Sequence, residues 1–173
     1  MKSYWEAIEP LFATVDFHNG PDAFAASITS VPRSSVLLFS AHMCVAEVHN
    51  GGFLQLFWNN TGVLVPEAIE GLTTIGMPII AALVREAASP LGSQYPRDRD
   101  ERWDALLVAS RRSSRDLKRI FKNAENLYLA FQKAALTLPF DSLDRRFWEC
   151  AKTEGGGFQE AATRYARHPH LIQ

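Results

Sequence analysis

Apolar residues recur along this chain at three- and four-residue steps, the spacing of helices that bury one face. Tyr4, Trp5, Ile8, Leu11 and Phe12 open the pattern. The turn-forming Asn19-Gly20-Pro21-Asp22 follows, with Asp22 placed to cap a second short helix. Val31-Pro32 should end that helix, because the residue before proline is pushed out of the α region. Ser34 or Ser35 then predicts the cap of a strong helix from about Val36 to Val48. Its apolar positions, Val36, Leu37, Phe39, Met43, Cys44 and Ala46 among them, cover so wide a face that it should lie at the centre.

Asn50-Gly51-Gly52 supplies residues that accept left-handed backbone angles, so the helix should stop there and restart in Phe53 to Trp58. Pro66 and Pro78 each sit where the first helical turn tolerates proline, opening Glu67 to Thr73 and Ile79 to Ala88. Residues 89–96 read as an internal loop. Beyond it Trp103, Leu106 and Leu107 suggest a helix, and Leu117, Ile120, Phe121, Ala124, Leu127, Tyr128 and Phe131 trace one apolar stripe. After Leu138-Pro139, Asp141 or Ser142 is placed to cap a helix holding Leu143, Phe147, Trp148 and Ala151. Gly155-Gly156-Gly157 interrupts it, and Phe158 to Arg167 forms a last helix stopped by His168-Pro169. No window alternates as a strand does and no solenoid period repeats, so the expectation is an all-α fold, a single compact multi-helix domain over residues 1–173.

Composition supports one ordinary core: 173 residues, 47% apolar and 21% charged, is far from the signature of disorder. Apolar stretches such as Ile75 to Val84 are too short to span a bilayer, and the N-terminus lacks the apolar run of a signal peptide, so a cytoplasmic location without membrane attachment is expected. Cys44 and Cys150, two thiols inside apolar helical patterns, read as buried and free. The net charge is −1, but residues 1–92 hold eight acids against three bases, −5, which leaves eleven acids and fifteen bases, +4, for residues 93–173.

Few residues group as catalysis would require. His42 and His49 share a helix face, but seven residues separate them by about 10 Å at 1.5 Å per residue, too far for one metal ion unaided. Gly155-Gly156-Gly157 follows a helix and lacks a Lys-Ser/Thr companion, which reads as a helix break and not a phosphate loop. His168-Pro169-His170 reads as an exposed tail. No nucleophile stands in an activating context, so neither an enzyme, a cofactor nor a metal is expected. Arg111, Arg112, Arg115, Lys118, Arg119 and Lys122 would share one stripe on a continuous helix, an electrostatic footprint for nucleic acid or an acidic partner. Asp98, Asp100, Glu101, Asp104 and Asp116 are near enough to neutralise it, so direct nucleic-acid binding is disfavoured. Asn50 to Asn60 mixes amides with aromatics, which suits a buried hydrogen-bond network or, alternatively, a small-molecule or uncharacterised enzymatic pocket.

The segment Glu47-Val48-His49-Asn50-Gly51-Gly52-Phe53-Leu54-Gln55-Leu56-Phe57-Trp58-Asn59-Asn60-Thr61-Gly62 resembles the signature of a bacterial family of unknown function that includes DNA mimic protein 19 of Neisseria. The likeness continues through Glu67-Ala68-Ile69-Glu70-Gly71-Leu72, Ile75-Gly76 and Phe140-Asp141-Ser142-Leu143-Asp144-Arg145-Arg146-Phe147-Trp148, and more weakly through Arg164-Tyr165-Ala166-Arg167-His168-Pro169. The resemblance implies an all-helical domain and, as in the characterised relative, carboxylates that imitate DNA phosphates and occupy a transcription factor's DNA-binding site. A chain at −1 cannot be a whole-surface mimic, since DNA presents one charge per ~1.7 Å of axis. What is expected is a non-enzymatic protein-interaction module whose local acidic patch, drawn from Glu6, Glu9, Asp16, Glu67, Glu70 and Glu86, binds another protein such as a DNA-binding regulator. A second copy of the chain is the other candidate partner. Glu47, Asn50, Gly51, Gly52, Phe53, Gln55, Asn59 and Gly62 are the family motif, with a structural role.

Overall fold

A computed structural model describes residues 3–167, and the His168-Pro169-His170 tail lies outside them. The fold is all-α, with ten α-helices and four short 3-10 turns among the described residues. Helix α1 (Tyr4–Ile8) runs into a 3-10 turn, and α2 (Pro21–Ser27) leads to the long α3 (Arg33–Trp58). Two helices, α4 (Val65–Thr74) and α5 (Pro78–Ala88), follow it. Then come α6 (Arg99–Ala109), α7 (Ser114–Lys122), α8 (Leu127–Ala135), α9 (Phe140–Thr153) and α10 (Phe158–Ala166).

As its width of apolar face required, α3 is central: Val36 to Ala41 are buried without interruption, and the helix packs against α4, α9, α6, α1 and α8. Its closest neighbour is α4, where Gly71 lets the two backbones meet; a Cβ there would stand 2.2 Å from the Leu37 carbonyl oxygen. Phe39, Phe53, Phe57, Leu72, Ile80 and Phe147 are fully enclosed in the shared core. Cys44 is buried and free, and burial together with the Glu47 charge pushes its thiol up to about 12, leaving it unreactive.

The helix starts differ from those expected. Helix α3 begins at Arg33, because the Pro32 carbonyl already accepts the N–H groups of Ser35 and Val36 at 2.9 and 3.1 Å. Ser34 and Ser35 therefore lie inside the first turn. In the same way α2 starts at Pro21 behind Gly20, whose φ is +91°, and α9 starts at Phe140 behind Pro139, so Asp22, Asp141 and Ser142 sit within first turns and do not cap. The start of α5 is capped from a distance, by Glu154, whose carboxylate accepts the N–H groups of Ile79 and Ile80 at 2.7 and 2.9 Å. Within 89–96, Ser89–Leu91 forms a 3-10 turn before Gly92 at φ +121°.

The largest departure concerns the basic stripe. Helix α6 ends at Ala109, Arg111 adopts φ +51°, and Ser113 caps α7 by accepting the Asp116 N–H. Arg111 and Arg112 are thus off the helix that carries Arg115, Lys118, Arg119 and Lys122, and the six cations do not form one continuous stripe. The apolar stripe from Leu117 to Phe131 is likewise divided, with α7 ending at Lys122 and Asn126 capping α8.

Candidate functional site

The Glu47 to Gly62 segment is a helix that breaks, restarts and stops, and side chains from elsewhere answer the backbone groups it leaves free. At the break Gly51 has φ −156°, ψ 23° and Gly52 has φ 74°, ψ −175°, a conformation open to glycine alone. In an unbroken helix the Phe53 N–H would bond to the His49 carbonyl and the Val48 carbonyl would accept from Gly52. Here the Phe53 N–H donates to Asp144 Oδ1 at 2.8 Å, and Trp148 Nε1 donates to the Val48 oxygen at 3.1 Å. Asp144 and Trp148 are one turn apart on α9, so a single face of that helix seals both sides of the break. A Cβ on Gly52 would lie 2.3 Å from Asp144 Oδ2. Burial of this carboxylate raises its pKa, partly offset by the Phe53 N–H and reinforced by the Asp141 charge.

One turn before the break, the Glu47 carboxylate gathers the second half of the segment. It accepts from Gln55 Nε2 at 2.7 Å, from Thr61 Oγ1 at 2.7 Å and from Asn59 Nδ2 at 3.0 and 3.2 Å. Both oxygens are engaged twice over by three neutral donors, which leaves the carboxylate little capacity for anything else. Gly51 belongs to the same arrangement, since a Cβ there would strike Gln55 Oε1 at 2.1 Å.

The C-terminal end of α3 is closed by Arg102, which is 0% exposed. Its Nε donates to the Phe57 carbonyl at 3.1 Å, Nη2 to Asn59 at 2.9 Å, and Nη1 to the Arg97 carbonyl. A cation among the last carbonyls of a helix is favoured by their aligned dipoles. Gly62 makes the space, because a Cβ there would come within 2.6 Å of Arg102 Nε. Burial holds the guanidinium below its usual pKa, and burial pushes Tyr95, whose hydroxyl donates to the Gly62 oxygen at 2.9 Å, well above the ordinary tyrosine range. The Trp103 indole completes the end by donating to the Trp58 carbonyl at 3.1 Å while stacking on Trp58 at 4.1 Å between centroids.

The structure therefore brings together Glu47, Gly51, Gly52, Phe53, Gln55, Asn59 and Gly62, while Asn50 is exposed at the break, outside the network. A cavity of about 420 Å³ lies beside the segment, walled by Trp58, Asn59, Asn60, Thr61 and Arg99, with the already occupied Glu47 as its acid. His49 and Gln55 do not line it. Arg102, Trp103, Asp144, Trp148 and Thr61 complete the network; the sequence places Trp103 and Trp148 in apolar helical patterns and Thr61, Asp144 and Trp148 in the family likeness, but assigns none of the five a hydrogen-bonding task.

The acidic candidates divide. Glu67 is 5% exposed and receives a two-pronged guanidinium bond from Arg97 at 2.8 and 2.9 Å, with Arg33 at 3.6 Å. Glu70 pairs with Arg33, and Glu86 with Arg146 at 3.2 Å. Asp16 accepts from its own turn, the Asn19 amide at 2.8 Å and the His18 and Asn19 N–H groups at 3.1 Å, bonds that hold its carboxyl below the usual range. Glu6 and Glu9 stand exposed without an ion pair among the described residues. Of the basic candidates, Arg112 donates to the Ala134 and Lys133 carbonyls at 2.9 Å, closing the end of α8. Arg119 sits 3.5 Å from Asp116. The described residues contain no group of three metal-binding side chains and no helix long and apolar enough to cross a membrane.

Residues 29–168 match the family described as DMP19-like protein. The chain belongs to that family. The DMP19-like region runs from before α3 into the residues after α10, so it contains the break, the Glu47 hub, Arg102, Asp144 and Trp148; α1 with Glu6, and the 3-10 turn after it with Glu9, precede it. No curated protein and no solved structure matches the chain.

Proposed function

We propose that this DMP19-like chain is a non-enzymatic interaction module that binds a basic surface of another protein through the α1 edge. The observation that carries this reading is the pairing of charge and aromatic area there. Trp5 and Phe12 are 42% and 43% exposed and pack together at 5.6 Å, with Glu6 and Glu9 between them in the chain. Large aromatics anchor protein interfaces and charges at their rim set partner and approach, which is the composition found at this edge. Glu67, Glu70 and Glu86 carry arginine partners and offer a visitor far less.

A DNA-binding regulator is the partner class that fits, because a protein surface built for phosphates attracts carboxylates, the activity that the resemblance to DNA mimic protein 19 implies. The saturated Glu47 network supports a structural role for the motif and speaks against a catalytic pocket there.

Affinity capture from the native cell tests the proposal, comparing the wild-type chain with a Glu6→Lys/Glu9→Lys variant. The expected result is a DNA-binding protein that duplex DNA displaces and that the variant fails to retain. Equal capture by the variant would overturn the α1 edge, and a partner indifferent to DNA would overturn the regulator class.

A further inference from the structure

Two features that the interaction reading leaves unused meet in one place. His42 and His49, two turns apart on α3, line a cavity of about 480 Å³ together with Gly156 and Gly157 from the break between α9 and α10. Lys152 from the end of α9 joins them, and Tyr4 and Phe158 supply aromatic wall.

The charge of this cavity has one sign. Lys152 is exposed, forms no ion pair among the described residues, and lies near enough to His49 to depress that imidazole in addition to its burial. Among the described residues no carboxylate lines the space, and Glu160, which reaches Gly156, is paired with Arg164 at 3.3 Å. His42 Nδ1 lies 3.3 Å from the Tyr4 hydroxyl; with Tyr4 donating, the neutral ring keeps its proton on Nε2 as a donor. The His42 ring is surrounded by Tyr4, Trp5, Phe12 and Phe158, with centroids 5.6–6.3 Å away. His49 stands edge-on to Phe147 at 6.0 Å.

A metal ion does not suit the place. Seven residues of helix separate the imidazoles by about 10 Å, and the lysine repels cations. An anion gains the lysine charge and an imidazole donor with no carboxylate among the lining residues, and a flat apolar group gains the aromatic wall. The volume lies within the roughly 300–1,000 Å³ of ordinary small-ligand sites.

We infer that this cavity binds a small molecule in which a compact anion, phosphate or carboxylate, is carried on an aromatic ring. Lys152 and His49 hold the anion, and Tyr4, His42 and Phe158 hold the ring. The site uses none of the carboxylates of the α1 edge, so a Glu6→Lys/Glu9→Lys chain keeps its Lys152, and the two readings fail separately.

Phenyl phosphate is the probe, added to the full chain while the imidazole resonances of His42 and His49 are followed by NMR at constant ionic strength, with inorganic phosphate and phenol added separately. Saturable shifts of both imidazoles by phenyl phosphate are expected, with each fragment alone at least about tenfold weaker. Lys152→Gln should weaken binding about tenfold or more, as loss of a charge-assisted hydrogen bond implies, and Lys152→Arg should retain most of it. Because Lys152 is exposed, the fold of both variants is checked simply by circular dichroism. Absence of a saturable shift, binding of phenol as tight as that of phenyl phosphate, or unchanged binding in folded Lys152→Gln would overturn the site.

Discussion

Two of the glycine breaks in this molecule, at Gly51-Gly52 and at Gly155-Gly156-Gly157, are finished in opposite ways. At Gly51-Gly52 the Asp144 carboxylate occupies the space where a side chain would begin, and Asp144 and Trp148 bond to the backbone groups that the break sets free. At Gly155-Gly156-Gly157 the answering groups are local, the Gly157 N–H donating to the Glu154 carbonyl at 2.9 Å and the exposed Arg164 side chain donating to the Gly155 carbonyl at 2.6 Å. A cavity remains beside the second break. The same residue type thus makes a lock where side chains of a neighbouring helix fill the gap and an opening where only exposed local side chains, Glu160 and Arg164, reach it. Energetically the difference is large, because buried backbone groups without partners cost free energy that a neighbouring helix has to offset.

The comparison is broken most severely at the far end of the lock. Arg102→Ala leaves the Phe57, Asn59 and Arg97 carbonyls without their donor and opens a void against Gly62. A loss of about 3–5 kcal/mol is expected from urea unfolding, the range for removing one member of a buried polar group or a large core side chain. Next come the two side chains that seal the break. Asp144→Ala should cost about 1–3 kcal/mol by orphaning the Phe53 N–H, and Trp148→Phe about 1 kcal/mol, because the indole is 43% exposed and water can take its place at the Val48 carbonyl.

Protonation sharpens the other side of the comparison. Burial lowers the pKa of His42, and burial with Lys152 lowers that of His49. With folded values depressed below the unfolded value, these imidazoles contribute stability that is present above about pH 6.5 and is lost as the pH falls below it. Thermal unfolding between pH 7.5 and 5 should show a falling Tm, and His42→Leu should flatten the slope. The smallest effect belongs to Ser40, fully buried with no partner for its hydroxyl among the described residues: Ser40→Ala should leave stability within about 0.5 kcal/mol or raise it slightly.

What the sequence reveals and what it hides follow from range. Helix identity, the central place of α3 and its stop at glycine are written in local spacing, and the structure has all three. Asp144 lies within the Phe140 to Trp148 motif, but its task is to hold an N–H 91 residues away, which no local pattern encodes. Arg102 looks like any charged residue on a polar helix face, and only the Gly62 space and the ends of α3 make it an interior group. The basic stripe failed for a related reason, since Arg111 at positive φ gives no sequence signal while Ser113, a good cap, competes with continuing the helix. The carboxylates of α4 and α5 read as free because their arginine partners lie 30 to 60 residues away.

The most direct test of the lock is to place one methyl group at each break and compare urea unfolding of Gly52→Ala with that of Gly156→Ala. At Gly52 the methyl meets both a forbidden backbone conformation and a carboxylate pinned by Phe53; at Gly156 it meets a left-handed φ of +85° and the movable end of Glu160. The expected outcome is a loss of at least about 3 kcal/mol for Gly52→Ala against under about 1.5 kcal/mol for Gly156→Ala. Equal losses at the two glycines, or a Gly52→Ala chain within about 1 kcal/mol of wild type, would contradict the lock.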